Sequence, residues 1–312
     1  DTDRSRGLGD VYKRQQWKRM ISMNNRFSDV LHQKADLVNA YLDSKVSQKD
    51  NLQGIVYEAM RYSLLAGGKR IRPVLALAAG QVLGEQEACI LPFACAIEMI
   101  HTYSLIHDDL PAMDDDDYRR GRYSCHKKFG EATAILAGDA LLTMAFEIAA
   151  EGALALENPK RGLRAIRHIA LSAGTEGMIG GQIVDLDAET RAISESELRY
   201  LCERKTGALL RAPVLAAAAV AGAEETRSAA LLLEYADTIG LAFQIKDDIL
   251  DVEGDISVLG KATGSDAKDG KTTFVTLYGI QRSKTLLEDL TNRALAACDR
   301  LISLQASAQA QL

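Results

Sequence analysis

From Met23 onward, apolar residues return every three to four positions, the spacing that lays a hydrophobic stripe along one side of a helix. No stretch sustains polar/apolar alternation with β-branched enrichment, so no strands are expected. Two segments, Cys89 to His107 and Leu209 to Ala223, are apolar nearly all round, which places them in the middle of a large bundle. Breaks are expected at Ala66-Gly67-Gly68, Leu83-Gly84, Asn158-Pro159, Gly222 and the glycine-rich stretch from Gly254 to Gly270. No Pro/Ser-rich linker interrupts the pattern, so the expected fold is all-α, with one helical domain over 17–312. Residues 1–16, opening DTDRSRGLGDVYKRQ, hold no apolar core segment or signal-peptide pattern and are set apart as a non-native or disordered leader.

Composition narrows the function. Only 5% of the residues are aromatic, and the abundance of alanine and leucine favours helices. A net charge of −6 argues against non-specific nucleic-acid binding, which needs a basic face. The longest uncharged runs, such as Ala212 to Ala223 and Pro73 to Gly84, fall short of the roughly 18 residues a membrane span requires, so none is expected. The five cysteines show no C-x-x-C spacing and are expected as buried thiols in a reducing cytoplasm. Cys125-His126 lacks a second ligand pair, which disfavours a zinc site.

The charge pattern carries the chemistry. HDDLPAMDDDDYRRGR, from His107 to Arg122, gathers six aspartates and then Arg119, Arg120 and Arg122. A second acidic group, QIKDDILD from Gln244 to Asp251, also follows an apolar helix. Asp247 and Asp251 are four residues apart and share one helix face. Two such helices facing each other would set Asp108, Asp109 and Asp114 opposite Asp247 and Asp251 across one cavity. Carboxylates so crowded raise one another's pKa unless cations intervene. Mg²⁺ suits them, since it takes carboxylate oxygens and keeps waters and substrate phosphates as its other ligands. Lys69, Arg70 and Arg72 of GGKRIRP, with Arg119, Arg120, Lys205, Lys261 and Lys271, supply the charges that phosphates need. A P-loop is missing from the sequence, so ordinary nucleotide binding is disfavoured.

In this order, GGKRIRP, HDDLPAMDDDDYRRGR, GGQIVDLD, KTGALL and FQIKDDILD resemble the motifs of the short-chain trans-prenyl diphosphate synthases, especially the bacterial-type farnesyl subtype. The resemblance implies an isoprenoid-synthase helical bundle around a central cavity, in a cytoplasmic homodimer. It implies that Asp108, Asp114, Asp247 and Asp251 hold Mg²⁺, three ions per site, two or more arriving with diphosphate. Arg119, Lys205, Thr206, Gln244 and Lys261 would line the allylic site for dimethylallyl or geranyl diphosphate. Lys69, Arg72, His101 and Arg120 would bind isopentenyl diphosphate. Asp108, Asp114, Asp247 and Lys205 would carry catalysis, with farnesyl diphosphate as product.

Tyr103, with its neighbour Ser104, is implied to set chain length: it lies five residues before Asp108, about 7.5 Å along a helix at 1.5 Å per residue. A geranylgeranyl or other chain length is the alternative, and a non-catalytic partner subunit is a further one, although such subunits tend to lose the aspartate motifs that are intact here. Blander readings stand beside these, with His101 as a satisfied core histidine, Thr206 as a helix cap and Tyr103 as plain packing. Two departures are mild and serious in turn. Phe274 stands where relatives often have tyrosine, and the chain closes on SLQASAQAQL before the final helix and basic tail of relatives, which is expected to raise KM for isopentenyl diphosphate.

Overall fold

A 22-residue apolar helix, α4 (Glu87–Asp108), runs through the centre of the molecule, and the other helices are arranged around it. The computed structural model describes residues 27–253 and 271–309, so the leader and Lys261 lie outside the described residues. The chain runs α1 (27–45), α2 (Gly54–Leu64), α3 (Ile71–Val82), α4, then a ribbon β1 (Tyr118–Arg119) and β2 (Arg122–Tyr123). It continues through α5 (Cys125–Phe129), α6 (Glu131–Ala155), α7 (Pro159–Ala173), α8 (Met178–Thr190) and α9 (Glu195–Leu201). A π turn (Cys202–Gly207) leads into α10 (Ala208–Ala221), followed by α11 (Arg227–Glu253), α12 (Phe274–Tyr278) and α13 (Ile280–Gln309). The all-α helical bundle is the one expected.

Helix boundaries fall where local chemistry dictates. Asn158 accepts the Lys160 amide at 3.2 Å and caps α7, with Pro159 at its first position. Gly222, at φ 66°, closes α10 in the left-handed conformation. Around α4 and α10 there are few polar positions to face water: Phe93, Ile97, Ile100, Val214 and Ala217 are all fully buried. α4 packs on α6 and α3, α10 on α7 and α3, and α11 on α13. A smaller core of Leu198, Cys202, Ile245, Ile249 and Phe274 joins α9, the π turn, α11 and α12.

Two expectations need correction. The ribbon of two-residue strands was not expected, because it is too short to alternate. It is held instead by its turn, where Arg120 (φ 53°) and Gly121 (φ 74°) are both left-handed, and by the stacked rings of Tyr118 and Tyr123, 5.0 Å apart. Also, α4 and α6 reach the length and hydropathy of a membrane span, which a search for uncharged runs overlooks because Glu98 and Glu147 interrupt them. In α4, 67% of that apolar stretch is buried inside the molecule. Of the cysteines, Cys95, Cys125 and Cys202 are buried as expected, whereas Cys89 and Cys298 are only partly covered.

Candidate active site

The site forms where α4 ends. Pro111, three residues past the end of α4, cannot donate a backbone hydrogen bond to continue the helix, and the turn closes with the Asp114 amide on the Asp108 carbonyl at 2.9 Å. Asp108 is therefore the last helical residue, partly buried, with Asp114 folded back beside it. Burial pushes the Asp108 carboxyl up to about 6, and Asp114 and Asp185 push the same way, while Lys205 and Arg119 pull against them.

The two aspartates of the first pair divide their duties. Asp109 is 2% exposed and binds Arg119 through Nε at 2.6 Å and Nη2 at 2.5 Å. Its partner comes from the ribbon, so Asp109 fixes the guanidinium at the cavity edge and is not a member of an open acidic wall. Burial works to lower the Arg119 pKa, and Asp109 and Asp116 more than offset it. Asp117 pairs with Lys127 at 2.7 Å, and Asp115 lies 3.8 Å from the same ammonium.

Lys205 comes from the π turn, an irregularity that often marks a functional position. It forms an ion pair with Asp185 of α8. Burial would lower its pKa, but Asp185, then Asp108 and Asp114, raise it on balance, so it stays charged. α8 can approach this closely because residue 181 is glycine: a Cβ there would sit 2.2 Å from the Lys205 amide nitrogen. Thr206 donates to Gln244 Oε1 at 3.4 Å, which ties the π turn to α11 one turn before Asp247. Gln244 in turn donates to Asp248 at 3.2 Å, and Asp248 accepts the Phe274 amide at 2.9 Å. Asp248 thus faces inward, while Asp247 is exposed and Asp251 partly covered one turn further along.

A second cluster is basic. Arg72 is largely buried, its Nε has no partner, and burial, aided by Arg120 and opposed by Glu98, lowers its pKa. His101 sits by it, held neutral by burial and then by Arg72, Arg120 and Arg119. Arg120 donates to the Gly67 carbonyl, and Lys69 is exposed. A buried guanidinium whose Nε has no partner, with Arg120 beside it, fits an anion. Arg70 behaves differently, being 3% exposed and bound to Glu98 at 2.7 Å, Asn39 at 2.8 Å and the Leu64 carbonyl at 2.6 Å. Arg70, Asp115 and Arg120 are the three non-glycine residues with positive φ among the described residues, and all three border this site.

Tyr103 is 6% exposed, and its pKa is raised by burial and then by the nearby Asp108 carboxylate. Ser104 spends its hydroxyl on the His101 carbonyl at 2.9 Å, a local bond within the helix. A cavity of about 640 Å³ lies elsewhere, behind the π turn among Arg204, Arg211, Asp237 and Leu290. It holds neither aspartate pair and so is not this site. Asp185 and the Arg70–Glu98 pair were not singled out from sequence. The signal for Asp185 was the Gly180-Gly181 pair preceding it, which is what lets α8 reach Lys205.

No three acidic, histidine or cysteine side chains among the described residues come close enough to enclose an ion by themselves. The donors at hand are nonetheless carboxylate oxygens, with the Asp108 pKa held up by burial and then by its acidic neighbours, and a hard cation that keeps water and phosphate ligands fits such a set.

Comparison with known proteins agrees with this chemistry. The sequence model of the polyprenyl synthetase family matches residues 53–304. The chain is 51% identical over 230 residues to the farnesyl diphosphate synthase of Geobacillus stearothermophilus, covering 74% of this chain and 77% of that one. It is 45% identical over 272 residues to the large subunit 1 of a heterodimeric geranylgeranyl pyrophosphate synthase of Arabidopsis thaliana, covering 86% and 72%. An apo FPP/GFPP synthase structure from Zymomonas mobilis superposes with a TM-score of 0.78 at 35% identity, covering 88% of this chain and 92% of that one. The chain therefore belongs to the polyprenyl synthetase family and is a trans-prenyl diphosphate synthase.

Proposed function

We propose that the protein condenses isopentenyl diphosphate with dimethylallyl diphosphate and then geranyl diphosphate, releasing (2E,6E)-farnesyl diphosphate. The observation that carries this reading is a buried aromatic, Tyr103, near the carboxylate of Asp108, which has Asp114, Asp185 and Lys205 as its charged neighbours. Asp108, Asp114, Asp247 and Asp251 would hold Mg²⁺. When bound, Mg²⁺ neutralises charge on the leaving diphosphate.

The chain's own groups supply the rest. Lys205, kept charged by Asp185, and Arg119, anchored by Asp109, face the allylic diphosphate, with Thr206 and Gln244 beside them. Their fixed donors oppose the negative charge that grows as the C1–O bond breaks. Arg72, Arg120, Lys69 and the neutral His101 hold the second diphosphate. Its C3–C4 double bond attacks C1, the C4–C1 bond forms, and the C2 proton passes to the departing diphosphate. Apolar faces around Tyr103 exclude water from the cationic carbon. Lys261 is assigned to the allylic site by motif alone.

We read the enzyme as a cytoplasmic homodimer, for which exposed Ile135 and Leu136 on α6 offer an apolar face. Geranylgeranyl diphosphate is the second reading, favoured by the relatives that make it. The test incubates the protein with Mg²⁺, isopentenyl diphosphate and dimethylallyl or geranyl diphosphate and chromatographs the dephosphorylated products. A C15 alcohol supports the reading, a C20 alcohol favours the second, and no product removes both.

A further inference from the structure

We propose that the hydrocarbon stop is a clamp of three residues on two helices, with His107 and Gly138 as positioning residues that hold Tyr103 in place. The inference rests on the reading of Tyr103 as the end of the chain-length cavity. It assigns two further determinants of product length.

Tyr103 and His107 are one turn apart on α4, and the Tyr103 ring meets the imidazole edge-on, with centroids 5.6 Å apart at 77°. The imidazole is itself fixed from the other side. Its Nε2 lies 3.1 Å from the Ile135 carbonyl of α6, so this nitrogen carries the proton and donates. The Nε2 end of the ring abuts Gly138: a Cβ on that residue would be 2.1 Å from His107 Nε2, 2.5 Å from Cδ2 and 2.9 Å from Cε1. A methyl group at 138 must therefore displace the imidazole away from α6, and Tyr103, in edge-on contact with it, takes up part of that displacement. α6 therefore sets how far the Tyr103 ring stands from the cavity, through a slot that only glycine leaves open.

The two positions then act in opposite directions. His107→Ala empties the space beside Tyr103, lets the phenol tilt into it and deepens the cavity. Gly138→Ala pushes the imidazole onto Tyr103 and shortens it. In the double variant the new methyl meets no imidazole, so the Gly138→Ala effect disappears. A merely structural role would lower activity without this sign pattern.

The test measures C10, C15 and C20 products from isopentenyl and dimethylallyl diphosphates for His107→Ala, Gly138→Ala, the double variant and Tyr103→Ala. Expected are a C20:C15 ratio raised about tenfold in His107→Ala and a C10:C15 ratio raised about tenfold in Gly138→Ala, the size of a pocket's discrimination by a few methylenes. The double variant should lose the C10 excess. Because His107 adjoins Asp108, turnover in these variants can fall. Titration with the unreactive geranyl and farnesyl thiolodiphosphates gives the same answer without turnover, as a farnesyl preference raised by His107→Ala and lowered by Gly138→Ala. Parent-like product ratios and analogue preferences in both single variants, with lengthening in Tyr103→Ala, overturn the clamp and leave the Tyr103 reading standing. An unchanged profile in Tyr103→Ala overturns the Tyr103 reading itself.

Discussion

The same dipeptide, Asp-Asp, occurs at the end of α4 and in the last third of α11, and the two copies solve one problem with different materials. In both, the second aspartate is buried and structural: Asp109 is 2% exposed and Asp248 5%. Asp109 grips a cation, Arg119, delivered by a two-residue ribbon. Asp248 grips a neutral backbone amide, that of Phe274, together with Gln244. At the helix end, where the backbone has already turned away, a side chain must close the structure. In mid-helix, the next element can dock directly. In each copy the first aspartate, Asp108 or Asp247, is left on the side that faces solvent or ligand. An Asp-Asp pair here is thus one buried anchor and one outward carboxylate, the latter being the member we propose as a metal ligand.

The largest effect that would sharpen this comparison is on turnover. Asp108→Asn and Asp247→Asn should each lower kcat by about a thousandfold or more while leaving circular dichroism intact, since each removes a charge that acts on the leaving group. Parent-like kcat in either would break the symmetry of the two copies.

The anchors should show the reverse balance. Asp109→Ala should cost about 3 kcal/mol in denaturant unfolding, because Arg119 is left without its partner in a partly buried place. Asp248→Ala should cost less, about 2 kcal/mol, since only neutral donors lose their acceptor. Equal costs, or a turnover loss as deep as that of Asp108→Asn with no change in stability, would contradict the division of labour.

A smaller effect follows from the raised pKa of Asp108, about 6 against an ordinary 3.8. A carboxyl whose folded-state pKa is raised is disfavoured when ionised. Its destabilising contribution is absent below about 4, grows as pH rises through the window to 6, and is complete above it. Without metal, Asp108→Asn should therefore be more stable than the parent by about 1–2 kcal/mol at pH 7.5 and equal to it near pH 4, read from melting curves at the two pH values. Reversed pH dependence would remove Asp108 from the crowded site.

The smallest effect concerns Arg72. Arg72→Lys should raise KM for isopentenyl diphosphate about tenfold with little change in kcat, because a point charge replaces a fork. An unchanged KM would take the orphaned Nε out of substrate binding.

The long elements were legible in the sequence because their patterns are strong. α4 and α10 are apolar on all sides, and the breaks at Gly84, Asn158-Pro159 and Gly222 fall where helices end. The ribbon at 118–123 was not, since its conformation depends on left-handed Arg120, a residue type that does not announce such a turn. At the site, residues clustered in charge-dense motifs were found, and the structure gathers Asp108, Asp114, Arg119, Lys205, Thr206 and Gln244 in one region. Glu98, a lone polar residue inside an apolar run, was missed, and Arg70 was read as a charge for phosphate. Glu98 and Arg70 gain meaning only as a pair, brought together from α4 and the start of α3. Asp109 looked like part of an open acidic wall because sequence spacing cannot tell which of two adjacent carboxylates turns inward.

The most direct measurement of the central claim is calorimetric titration of the protein with inorganic diphosphate, with and without Mg²⁺. Two opposed acidic copies bridged to one diphosphate predict binding only when Mg²⁺ is present, and its loss in Asp108→Asn and Asp247→Asn alike. Equal binding in EDTA, or loss in only one of the two variants, would contradict it.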